Sequence, residues 1–394
     1  MAKSPKVEIT PEILVWAREQ CAYAMPEVAK KLKIKKEQLL SWEEGKSLPS
    51  FAQLLKLANL YKRPSALFFL NVPPSEPPLP KDFRVIDESE VSHLSPKTRI
   101  EIRKAQRKRA IAVELADQLG EEILEFSEKA NLNSSIRNLV DKYRNRLKLD
   151  YSKQTSFISE FDAFRVWKEA IESLGVLVFQ ASLDSIDEFR GLAIYNRKFP
   201  LILLNTKDST RGKIFSLLHE FCHLLLHTSG IGNMNPPENR TDKFNQIEVF
   251  CNEFAGECLV PSQYLLNEPE IKALTGALGD RELGRLVKRY QASGEVILRR
   301  LLQNNKISKT FYERKRKEIF EFYKKNKKKG GPVPYDVRSF SYNGEPYTKL
   351  VLESYTNEII TASDVSNYLG VKLNHVDKME QAIKSKSSSG GTIG

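Results

Sequence analysis

Histidine and cysteine are scarce in this 394-residue sequence, with five His and four Cys. So few thiols exclude a fold built on disulfides. Cys222, Cys251 and Cys258 stand in helix-like segments without Cys-x-x-Cys spacing, so reduced, mostly buried thiols are expected. Long apolar runs are missing too. The longest, such as Leu174 to Phe179 and Phe199 to Leu204, fall far short of the ~18 residues that a membrane-spanning helix needs. Met1 to Lys6 leads into a helical pattern carrying Glu12, Arg18 and Glu19, with neither the apolar stretch nor the cleavage site of a secretion signal, so the cytoplasm is the expected location.

What is present describes a folded protein. Hydrophobic residues make up 41%, with 20 Phe and 14 Tyr, and at roughly 100 to 200 residues per domain the chain holds several domains. The net charge of +12 favours an anionic partner such as nucleic acid, although Lys-rich solvated faces give the same excess.

Composition divides the chain. Thr10 is placed to cap a first helix, with Pro11 at its first position and Ile13, Leu14, Ala17 and Cys21 on one face. A second helix over Pro26 to Leu32, a third over Lys36 to Glu44 stopped by Gly45, a fourth capped by Ser50 and a fifth over Pro64 to Leu70 follow. Five short helices of this length suit a helix-turn-helix domain. The Pro-rich stretch from Pro73 to Pro80 reads as a spacer. Beyond it Lys97, Arg99, Arg103, Lys104, Arg107, Lys108 and Arg109 crowd a helix expected to run towards Lys129, either a solvated face or a phosphate binder. Strands are expected at 175–179, 189–196 and 199–205, a helix from Thr210 to His227, a Gly/Pro/Asn-rich loop from Ser229 to Arg240 and a helix from Lys243 to Leu259. The remainder reads as helical, with helix pairs at 283–302 and 360–379. The fold class expected is therefore α+β and mainly helical, with a small sheet in the middle domain.

Within the helix from Thr210 lies His219-Glu220-Phe221-Cys222-His223. Spacing of four puts both imidazoles on one face, ~6 Å apart along the axis, where both reach one zinc ion. Glu220, about a third of a turn round, is offset from that line and placed to take a proton from a water that zinc acidifies from a pKa of about 15.7 towards 7. The bland alternative, two unrelated His on an amphipathic helix, is disfavoured by the scarcity of His. His227 stands too far along the axis, ~12 Å from His219, to join both at one ion and reads as structural. No further His falls at metzincin spacing. The third ligand should be a carboxylate on the helix from Lys243, where Glu248 and Glu257 fall on opposite rims of the stripe Ile247, Phe250, Cys251, Phe254 and Cys258, with Glu253 further out. Periodicity does not choose between the rims. Glu248 has the advantage of Asn252 one turn on, a polar amide able to orient a metal-bound imidazole.

These residues resemble the ImmA/IrrE metallopeptidases, whose Phe-Thr-Leu-Ala-His-Glu-like helix and Glu-x-x-Ala-Asn-x-Phe-Ala segment correspond to Phe215-Ser216-Leu217-Leu218-His219-Glu220 and Glu248 to Ala255, ending at Val260-Pro261. The match extends upstream to Arg190-Gly191. The resemblance implies a zincin-like (gluzincin) domain in which His219, His223 and Glu248 hold zinc (Zn) and Glu220 is catalytic. Residues 9–72 resemble a Cro/CI-type (XRE family) helix-turn-helix domain in Val28-Ala29, Leu39, Trp42 to Gly45, Pro49 and Leu54 to Ala58, with Lys33 where such domains usually turn on Gly. Its reading helix would present Lys36, Glu37 and Ser41 to bases, with Lys35 and Lys46 near phosphates. A protein-docking or dimerisation role is the alternative.

The expected organisation is the helix-turn-helix domain, a Pro-rich linker over 73–96, the metallopeptidase domain over 97–310, a helical module over 311–383 and a disordered tail over 384–394. The function implied is a zinc endopeptidase that regulates transcription by cutting a helix-turn-helix repressor, recruited through DNA or through that repressor, with no membrane partner. Two alternatives are a non-enzymatic DNA-binding regulator with a structural zinc and the regulatory half of a toxin-antitoxin or phage-defence pair.

Overall fold

The computed structural model describes residues 4–76, 94–186, 188, 190–228, 230–232, 243–274, 277–325 and 335–376. The chain forms two compact units, Met1–Leu79 with Val85–Gln106, and Pro80–Arg84 with Arg107–Gly394. The rest of the Pro-rich stretch beyond residue 76, most of the loop from Ser229 to Arg240 and the tail over 384–394 lie outside the described residues.

In the first unit α1 (Pro11–Gln20), α2 (Met25–Leu32), α3 (Lys36–Glu43) and α4 (Phe51–Tyr61) enclose Ile13, Leu14, Val28, Leu39, Trp42, Leu54 and Tyr61. Ser50 caps α4 as expected, its hydroxyl accepting from the Gln53 N–H while the Gln53 side chain accepts from the Ser50 N–H. Thr10 does not cap α1 through its side chain. Its hydroxyl donates to the Leu70 carbonyl (2.6 Å) and its N–H to the Phe68 carbonyl (3.0 Å). Ser65–Phe69 is a 3-10 turn rather than the expected fifth α-helix, with the Leu67 N–H on the Pro64 carbonyl (3.1 Å) and the Leu70 N–H on the Leu67 carbonyl (3.2 Å). Between α2 and α3 Lys33 takes the left-handed conformation, with φ of 57°, that glycine adopts at least cost.

The helix α5 (Pro96–Leu119) ends before Gly120, at φ of 68°, short of Lys129. The division between the units falls inside it, at Gln106, later than the boundary at residue 96 expected from the prolines, because Ile100 packs in the first core. Its basic run is neither wholly solvated nor free for phosphate. Arg103 donates to the Tyr61 carbonyl (2.7 Å), Lys108 to Asn343 (2.6 Å) and Arg109 to the Lys198 and Phe199 carbonyls (2.8 and 3.0 Å).

The second unit is α+β and mainly helical. After α6 (Ile136–Arg146), α7 (Tyr151–Thr155) and α8 (Glu160–Glu172) come β1 (Leu177–Ala181), β2 (Gly191–Ile194), β3 (Leu201–Asn205), α9 (Thr210–Leu225), β4 (Gly230–Gly232) and α10 (Lys243–Leu259). The sheet runs β1-β3-β2-β4, with β1 parallel to β3 and β2 antiparallel to both β3 and β4. β1 starts two residues later than expected because Gly175, at φ of 81°, still turns the chain out of α8. β4 was not legible: it is three residues long with Gly at both ends, too short to alternate.

α9 is buried along nearly its whole length, against β2, β3, α8 and α10, which is why its sequence is apolar on more than one face. Phe221 of α9 and Phe254 of α10 each meet the Tyr143 ring edge-on, at 5.6 and 6.4 Å, and such contacts lock the rotation of the two helices. Farther on, α11 (Ser262–Leu265), α12 (Pro269–Lys272), α13 (Asp280–Tyr290) and α14 (Gly294–Gln303) precede α15 (Lys309–Lys325). The pair α13 and α14 builds core through Leu286, Tyr290, Ile297 and Leu301. α16 (Tyr335–Asn343), α17 (Glu345–Thr356) and α18 (Ala362–Leu369) complete the unit at the β1 edge, where the Gln180 amide donates to the Ser341 carbonyl (2.8 Å) and Phe179 meets Tyr347 edge-on. No helix among the described residues is long and apolar enough to cross a membrane.

Candidate metal centre

α9 and α10 bring His219, Glu220, His223, Glu248 and Asn252 together, all of them buried. The two Nε2 atoms are 3.2 Å apart. Glu248 places Oε2 at 3.3 Å from His219 Nε2 and Oε1 at 3.0 Å from His223 Nε2. Donors held ~2.0–2.1 Å from a tetrahedral ion lie about 3.3 Å from one another by geometry. The two imidazole nitrogens keep that spacing, Glu248 meets them through different oxygens, and one donor atom from each of the three residues lies within 4.8 Å of the other two. Glu257, on the opposite rim of α10, accepts from the Ser262 N–H and hydroxyl (2.9 Å each) and pairs with Arg300. Helix rotation thus separates two carboxylates that the sequence pattern left equivalent.

The electrostatics fit a cation. Burial alone would raise the Glu248 carboxyl, yet the two imidazoles hold it well below the usual carboxylate range. Burial works to lower His219, and the Glu248 charge outweighs it and raises the imidazole. Burial lowers His223. Glu220 is pushed up to about 8 by burial, with the Glu248 charge adding, while His219 and a hydrogen bond from the Ala193 backbone N–H oppose. Among the described residues Glu220 Oε2, His219 Nδ1 and both amide atoms of Asn252 have no hydrogen-bond partner of normal geometry. Asn252 nevertheless lies beside His219 and favours its charged form. Unpartnered buried polar atoms are costly unless something else satisfies them.

Gly191 lies against Glu220 for a reason the sequence hid. A Cβ there would stand 2.7 Å from both Cγ and Oε1 of Glu220, so β2 approaches the carboxylate only because residue 191 has no side chain. His227 plays no part in the cluster. It ends α9 at φ of 53°, sits 3.1 Å from the Glu128 carbonyl through Nε2 and stacks on Tyr195. Cys222 and Cys251 adjoin each other in the α9–α10 interface with no exposure, and burial drives the Cys251 thiol up, which argues against ready oxidation there.

In the first unit Lys35 precedes α3, and Lys36 and Glu37 are exposed in its first turn. Ser41 is half-buried, its hydroxyl 2.6 Å from that of Ser47, and Lys46 pairs with Glu44 at 2.7 Å. Lys35, Lys36, Glu37 and Lys46 are therefore presented outward, Lys46 in a surface ion pair, whereas the Ser41 hydroxyl is half-buried against Ser47.

Comparison with known families gives two matches. Residues 171–302 match the IrrE N-terminal-like domain of the Peptidase_M78 family, and residues 14–68 match a helix-turn-helix domain. No curated protein matches the chain. The first match spans β1 to α14, with both helices of the candidate centre, and the second spans α1 to the 3-10 turn. The chain is thus a fusion of an N-terminal helix-turn-helix domain with an IrrE N-terminal-like, Peptidase_M78 domain.

Proposed function

We propose that the protein is a zinc-dependent endopeptidase that acts in the cytoplasm and regulates transcription by cutting a helix-turn-helix repressor. The observation that carries this reading is the convergence of His219 Nε2, His223 Nε2 and the Glu248 carboxylate, with one donor atom from each within 4.8 Å of the others, beside a buried Glu220 with a free oxygen. Bound there, zinc would supply Lewis acidity and a lowered pKa for water. Glu220 would take the proton of the attacking water and pass it to the leaving amine once the cation beside it favours the carboxylate over the protonated form that burial favours in the metal-free site. Asn252 orients the His219 ring. A purely structural site needs no such base, and among the described residues no fourth protein ligand closes the cluster.

The decisive experiment compares newly formed protein N-termini in cells carrying the native chain or Glu220→Ala. Termini that appear with the native chain alone, within a helix-turn-helix protein, support the reading; identical termini in both reject it. Gly191→Ala tests the geometry. Its methyl would push the Glu220 carboxylate aside, so cleavage should fall by about 100-fold with zinc retained, since misplacement by ~1 Å costs on that order. Unchanged turnover would show that Glu220 needs no such room.

The helix-turn-helix domain recruits the substrate, through DNA or by pairing with the repressor, which raises local substrate concentration. If it works through DNA, Lys35→Ala and Lys36→Ala should weaken binding and each lower the salt slope by about one. A slope that does not move points to pairing with protein.

A further inference from the structure

We propose that Thr228 is a positioning residue that sets the tautomer and orientation of the His223 ring, an inference that rests on reading His223 as a metal ligand. The end of α9 creates the contact. Leu226 is its C-cap and His227 enters the left-handed region, so the His227 N–H returns to the Leu224 carbonyl and the Thr228 N–H to the His223 carbonyl, each at 3.0 Å. This reversal carries residue 228 back over residue 223, a place where apolar contacts are usual. Here the contact is polar: Thr228 Oγ1 lies 3.2 Å from His223 Nδ1 and 3.1 Å from the His223 carbonyl.

A hydroxyl has one hydrogen and two lone pairs. When its hydrogen goes to the carbonyl, its oxygen is left to accept from Nδ1–H. The imidazole proton is then on Nδ1, and Nε2 keeps its lone pair towards His219 Nε2 and Glu248, 3.2 and 3.0 Å away. That arrangement satisfies Nδ1, the hydroxyl and the carbonyl, and against the pull of the Glu248 carboxylate on a proton at Nε2 it leaves that lone pair for a metal, as a ligand nitrogen requires. Thr228 therefore holds the ring in its binding form through the same backbone turn that ends the helix.

The test uses the full-length chain with Thr228→Val, of the same shape without the hydroxyl, and Thr228→Ser, which restores it. Zinc affinity is measured by competition with a chromogenic chelator. The Val variant should bind about 10- to 100-fold more weakly, and the Ser variant close to the native chain. A second readout needs no metal. With 15N-labelled histidine and the His223 signal assigned by its loss in His223→Gln, the metal-free native and Ser chains should carry more of the ring proton on Nδ1 than the Val chain, where the Glu248 carboxylate, 3.0 Å from Nε2, draws it to Nε2. Equal affinity in the native and Val chains, or a Ser variant as weak as Val, overturns the proposal. So does a Val chain that loses its metal-free fold, because Thr228 would then act on the helix end. A native chain that binds no zinc removes the metal reading, and the tautomer readout still decides what Thr228 does.

Discussion

Glu220→Gln should abolish peptide hydrolysis and at the same time stabilise the metal-free protein at pH 8. Loss of a general base costs on the order of 100- to 10,000-fold in rate. The stability gain follows from linkage. Glu220 has its pKa raised from 4.5 to about 8 in the folded state, chiefly by burial. A raised folded pKa means that the protonated carboxyl is favoured below the unfolded value, and that this contribution is lost as pH rises through the folded one. Gln imitates the protonated form at every pH. Its advantage should therefore be absent below about pH 4.5 and grow to the order of 4–5 kcal/mol by pH 8, at ~1.4 kcal/mol per unit. Denaturant unfolding of the metal-free native and Gln chains at pH 5 and pH 8 checks it, and a gain independent of pH would mean that Glu220 ionises freely in the fold. A base that destabilises the fold around it is what a site shaped for chemistry retains.

The second large effect separates the two rims of α10. The native chain should bind about one equivalent of zinc and Glu248→Ala should lose it, because two imidazoles are left to hold it. Glu257→Ala should keep the zinc and lose stability instead. Arg300 is buried, with 6% of its surface exposed, and its carboxylate partner would be gone. Breaking a buried pair costs about 3–5 kcal/mol, and the remaining hydrogen bonds from Arg300 to the Val260 carbonyl, Gln303 and Ser262 put the expectation near the lower end. Metal analysis and the unfolding midpoint together decide. Zinc lost from Glu257→Ala and kept by Glu248→Ala would mean that the other rim is the ligand.

Much of this was legible in the residues because it is local. Four-residue spacing on a helix puts His219 and His223 on one face whatever surrounds them, and Ser50 with Gln53 caps α4 by contacts three residues apart. α10 runs from Lys243 to Leu259, the span that the spacing predicts. Where a long-range partner competed with a local preference, the local reading failed. Thr10 gave its hydroxyl to Leu70, sixty residues away, instead of capping α1 with it. Three-residue β4 exists by pairing with β2, and nothing in Gly230-Ile231-Gly232 foretells a strand.

The sequence by itself determined the chemistry on offer: two imidazoles and a carboxylate base on one helix, with carboxylates on the rims of the next, since covalent order and helical pitch settle both. Only the tertiary structure decided which carboxylate meets the imidazoles and that Gly191 makes room for Glu220. Those depend on the rotation of α9 against α10, fixed by Phe221, Phe254 and Tyr143 packing edge to face, and on the strand register that sets β2 against α9. Such choices belong to side chains far apart in the chain that must fill one space, so no stretch of sequence contains them.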